Sequence, residues 1–128
     1  MPINMDVLTA SHTYTIREGL HKALQLIRRA LTRSGLSIVR EFDGEQSRTL
    51  LVDCPLLAFE AQALHHAAGV FLPLHVLVRS EGDRTLVTTV NPAALFDGKL
   101  PLGSAEPVER LYERVSISLL SIKFSEGR

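Results

Sequence analysis

This chain holds one cysteine and no tryptophan, and neither sign of charge is in excess. The lone cysteine, Cys54, excludes an intramolecular disulfide, so folding does not depend on an oxidising compartment. Aromatic residues make up only 5% of the sequence and form no ladder interleaved with arginine, which removes the stacking platform of a single-strand nucleic-acid binder. Lys and Arg number 14, balanced by 14 Asp and Glu. A general nucleic-acid binder would show a basic excess, so no nucleic-acid partner is expected. Apolar runs all fall short of the roughly 20 residues of a membrane span, and no membrane partner is expected. The start, Met1 to Thr13, lacks a basic segment followed by an apolar one, which makes the cytoplasm the default address. Nucleophile elbows, phosphate-cradling glycine loops and the His-x-x-x-His or His-Glu-x-x-His spacings of metal sites are all missing. No cofactor and no resident metal are therefore expected.

What is present is enough for one domain over residues 1–128. A chain of 128 residues with 45% hydrophobic residues can bury a core without a staple. His12 to Thr15 reads as a short strand. Thr15 and Glu18 stand at capping-box spacing, and Ile16, Leu20, Leu24, Ile27 and Leu31 follow at helical steps, predicting a helix over Ile16 to Ser34. Arg17, Lys22, Arg28, Arg29 and Arg33 lie mostly off that face, where solvent is their ordinary neighbour. Gly35 suits the left-handed residue that stops a helix. Leu36 to Phe42 and Arg48 to Asp53 read as a strand pair about an Asp43-Gly44 turn. Pro55 breaks the run, and Leu56 to Ala68 favours helix, with Leu57, Ala61 and Leu64 on one side and Gly69 at its end.

The second half repeats the pattern. Leu72 to Arg79 alternates, with Leu74, Val76 and Val78 on one face and His75, Leu77 and Arg79 on the other. Glu81-Gly82-Asp83 connects it to Arg84 to Val90, and Asn91-Pro92 ends the hairpin. Pro92 to Phe96 suggests one helical turn, and 97–105 a loop. Pro107 suits the first helical position. Val108, Leu111, Val115, Leu119 and Ile122 then mark one face of a last helix, with 123–128 a fraying tail. The expected fold is α+β: a two-layer sandwich in the order strand, helix, four strands, helix, with a mostly antiparallel sheet and both long helices on one face.

Three groups of residues invite a functional reading. Cys54 stands at a strand end just before a helix, where a thiol can be reactive or a small core filler. His65 and His75 flank that same helix, so a metal site with Cys54 is one alternative, although adjacent His65 and His66 diverge on a helix and do not chelate together. Leu72-Pro73 and Asn91-Pro92 open and close the hairpin on which a ligand loop would ride.

Leu72-Pro73-Leu74-His75-Val76-Leu77-Val78-Arg79, then Glu81-Gly82, Leu86 to Val90 and Asn91-Pro92-Ala93, together resemble the family called domain of unknown function 302. The helix before Gly35 and the Cys54-Pro55 step fall in the same order, so the resemblance covers 11–122. It implies a TATA-binding-protein-like α+β fold, a bacterial or archaeal source and a homodimer, and it implies no established reaction. Two departures matter. Many members have Cys-Asn-Pro where this chain has Cys54-Pro55, and many have a second cysteine where this chain has Leu74. A Cys54 function here would have to be single-cysteine chemistry. The first expectation is a homodimeric, non-enzymatic binding domain, its ligand or protein partner near Cys54, Pro55, Pro73, His75, Asn91 and Pro92. The alternatives are a thiol-based sulfur or redox carrier or enzyme using Cys54, a metal-binding protein using Cys54 and histidines, and a module that pairs its sheet edge with another chain.

Overall fold

The computed structural model describes residues 11–64, 73–91 and 105–126. Its elements run β1 (Ser11–Ile16), α1 (Leu20–Arg33), β2 (Ser37–Gly44), β3 (Ser47–Asp53), α2 (Pro55–Leu64), β4 (Leu74–Glu81), β5 (Arg84–Val90) and α3 (Ala105–Glu126). The five strands form one sheet in the order β1-β5-β4-β3-β2, and every neighbouring pair is antiparallel. The helices cover one face of it. The α+β order expected from the sequence is the one observed.

The core is built from the two periodicities. On the sheet, Tyr14, Ile16, Leu50, Val52, Leu74, Val76, Val78 and Val87 point at the helices and are buried. Leu24, Ile27 and Leu31 of α1 meet them, as do Val108, Leu111, Val115, Leu119 and Ile122 of α3. Among the described residues, no helix is long and apolar enough to cross a membrane.

Gly35 ends α1 as expected. It takes φ +78°, its N–H donates to the Thr32 carbonyl at 3.0 Å, and the Leu36 N–H donates to the Leu31 carbonyl at 3.1 Å. This is a Schellman arrangement, sealed by burial of both Leu31 and Leu36.

The start of α1 is a correction. Thr15 and Ile16 are the end of β1, paired with Leu86 and Thr85, and not a helical first turn. Gly19 caps α1 with no side-chain bond. Ile16 fits both patterns, because it is four residues before Leu20 and two after the buried Tyr14. Tertiary pairing with β5 decides for strand. The Glu18 carbonyl, freed from the helix, accepts the Thr85 hydroxyl at 2.8 Å.

Smaller boundaries move too. The β2–β3 connection is Glu45-Gln46 rather than Asp43-Gly44, with Gln46 at φ +56°. The Ser80 N–H holds the Gln46 carbonyl at 2.9 Å, which ties that turn to β4. A bulge between Ile38 and Arg40 shifts the β2 register. Pro55 is the first residue of α2, and α3 begins at Ala105, two residues before Pro107. Both prolines sit in a first turn, where the missing N–H has no intrahelical partner to lose. The helix α3 continues through Glu126, past the expected onset of fraying. The expected helical stretch 65–68, Gly69, Leu72 and the turn at Pro92 to Phe96 lie outside the described residues.

Among the described residues, no helix packs on the second sheet face. Phe42, Thr49, Leu77, Thr88 and Thr13 form one cross-strand row over all five strands. Phe42 and Leu77 in that row are 47% and 37% exposed, so two apolar side chains stand open among three threonines. Arg40 rests over the Phe42 ring at 5.4 Å.

Candidate functional site at one end of the sheet

Antiparallel register gathers distant residues here. Val52 pairs with Leu74 and Val76 with Thr89. One step further along, Asp53-Cys54 leaves β3 beside Pro73, and Asn91 leaves β5 on the next strand. Strand spacing puts the β3 and β5 ends about 10 Å apart. Cys54, Pro55, Pro73 and Asn91 thus share one end of the sheet. Pro92 lies outside the described residues.

Cys54 is buried, at 6% exposure, within the core cluster on the helix side. Its backbone N–H donates to Asp53 Oδ1 at 2.8 Å. Burial pushes the Asp53 carboxyl above its usual value, and that N–H bond only partly opposes the shift. Arg114, from the middle of α3, donates from Nη1 to Cys54 Sγ at 3.6 Å. Cys54 therefore lies between a carboxyl, a guanidinium and the first turn of α2. Arg114 also lines a shallow cavity of about 240 Å³ with Ser34, Arg110, Glu113 and Ile117.

His75 does not join this group. It is exposed and pairs with Leu51 on the open sheet face, while Cys54 points into the helix-covered core. The two are on opposite sides of the sheet, so Cys54 and His75 do not share a metal. His65 and His66 lie outside the described residues. Among the described residues, no group of three or more His, Cys, Asp or Glu side chains could hold a metal ion.

Sequence reading missed Arg114. It is 60 positions from Cys54 and belongs to the exposed side of an otherwise ordinary amphipathic helix. The available signal was its phase: Arg114 directly precedes the buried Val115, at the flank of the α3 stripe, where a long side chain can reach past the seam.

No curated protein matches this chain. A crystal structure of an uncharacterized conserved protein DUF302 from Bacillus stearothermophilus is similar, with a TM-score of 0.76 and 17% identity. The match covers 86% of this chain and 95% of that one, and at such identity it bears on the fold alone. The family model described as "Domain of unknown function DUF302" matches residues 12–119, which include every strand residue but Ser11 and all but the last turns of α3. The chain belongs to the DUF302 family.

Proposed function

We propose that this protein is a homodimeric, non-enzymatic binding domain that holds a small molecule or a protein segment at the sheet end formed by Cys54, Pro55, Pro73 and Asn91. The observation that carries the ligand half is the convergence of these strand ends around a half-buried Asp53 carboxyl with a raised pKa. A desolvated acid at a strand end is equipped to exchange hydrogen bonds with a ligand. The dimer half is supported by the open face, where Phe42 and Leu77 leave apolar surface for a second sheet to cover. Native mass spectrometry of protein purified without denaturant tests the ligand, and a mass equal to the bare chain after gentle desolvation counts against it. Light scattering after size exclusion tests the dimer, and a monomer at high micromolar concentration removes it.

One observation favours a second reading, a thiol function for Cys54. The Arg114 guanidinium contacts Sγ, the place where a positive charge assists thiolate chemistry. Burial of the sulfur opposes it. Alkylation of the folded protein at neutral pH as fast as that of a free thiol would establish this second reading. Labelling only on unfolding returns Cys54 to a packing role.

A further inference from the structure

The exposed flank of α1 carries Lys22, Leu26, Arg29 and Arg33 at steps of four, three and four, which form one stripe along the helix. That stripe borders a cavity of about 380 Å³ between α1 and α3. Its floor is aliphatic, from Leu26, Ala30 and Ile122, and Ser34 and Ser121 add hydroxyls. The volume falls in the range of small-molecule pockets, and the aliphatic floor with a few polar groups matches their usual make-up.

Charge in the cavity is lopsided. Lys22 is matched by Glu18 at 3.6 Å. Among the described residues, Arg29 and Arg33 have no ion pair, and Glu18 is the one carboxylate lining the cavity. Two guanidiniums one turn apart repel each other. The described residues that α3 gives to the wall are Ser121 and Ile122, neither of them an acid. The cavity thus has a cationic end and a greasy floor.

We propose that this groove binds a free single-chain amphiphile with an anionic head, of which a medium-chain carboxylate is the simplest. The head is held by Arg29 and Arg33, whose planar forks match a carboxylate. The chain lies along Leu26, Ala30 and Ile122. Among the described residues, no aromatic ring lines the groove to stack a base, and a cleft between two helices admits one chain rather than a bilayer surface. The groove shares Ser34 with the Arg114 cavity but none of Cys54, Pro55, Pro73 and Asn91, so it stands whether or not that sheet end binds anything.

Titration of the whole chain with decanoate, followed by calorimetry and amide chemical shifts, is the test. Saturable binding of one decanoate per chain is expected, with shifts centred on Ala30, Ser34 and Ser121. Acetate and 1-decanol should each bind at least tenfold more weakly, because each lacks one half of the recognition. The double variant Arg29→Gln, Arg33→Gln should keep its thermal midpoint and lose at least tenfold in affinity. Ala30→Leu, which fills the floor and keeps both arginines, should lose binding as well. No saturable decanoate binding up to about 1 mM overturns the proposal. So do equal affinity in the double variant and shifts centred on the open sheet face.

Discussion

At the residue scale, Asp53 and Gly35 make opposite kinds of demand on their neighbours. The folded Asp53 pKa lies above the unfolded value, so the folded state holds the proton more tightly. Protonated Asp53 therefore favours folding, and the ionised group costs stability once pH rises past the unfolded value of 3.8. Asp53→Asn keeps an acceptor for the Cys54 N–H and removes the charge. We expect its denaturation midpoint to exceed that of the parent at pH 7, with the gain fading toward pH 4 in parallel urea melts. Gly35→Ala places a Cβ at φ +78° and should cost about 1–2 kcal/mol in the same assay, with the fold intact. Gly35 was legible in the sequence because a helical stripe stops one turn before it. The Asp53 environment was not, because burial of a strand-end carboxyl depends on what α2 and α3 place over it.

At the element scale, α1 is fastened to the sheet edge by charge as well as by packing. Arg28 donates from Nε and Nη2 to the two oxygens of Glu41 at 2.9 and 2.8 Å, and Arg48 adds a bond from β3 at 3.3 Å. The Arg28 bonds hold the Glu41 carboxyl below its usual value. This contribution is complete above the unfolded value of 4.5 and drains away as pH falls through the folded one. Glu41→Gln should cost about 1 kcal/mol at pH 7, and its acid-unfolding curve should converge on that of the parent below pH 4.5. Convergence at neutral pH instead would show that the fork contributes nothing. The apolar stripes of α1 and α3 were legible because 3.6-residue periodicity survives any packing partner. Leu111→Ala, at 0% exposure in the α3 stripe, should cost about 2–5 kcal/mol by thermal melting. The β1–α1 border was not legible, because Ile16 satisfies strand alternation and helical spacing at once.

At the scale of the whole molecule, one sheet face is sealed by helices and the other is open. Local alternation predicted which strand residues point together, but strand order is a property of contacts across the chain and leaves no trace in a ten-residue window. Leu77 lies in the middle of the open row, so Leu77→Glu should turn the proposed dimer into a monomer in light scattering and leave the fold unchanged by circular dichroism. The order β1-β5-β4-β3-β2 also bears on how the chain folds over time. Ser11 pairs with Val90, so β1 cannot find its neighbour until everything through β5 has been made. The hairpins β2–β3 and β4–β5 can form from local contacts, while β1, made before them, waits as a loose end. Closing that long loop costs more entropy than closing either hairpin, which puts β1 docking after the rate-limiting step. Substitutions at Tyr14 should accordingly speed unfolding and leave the folding rate nearly unchanged, whereas those at Val87 should slow folding. The earliest-made of the described strands is then the last to dock, and a chain released before β5 is made would leave β1 and the facing edge of β4 unpaired instead of a finished domain.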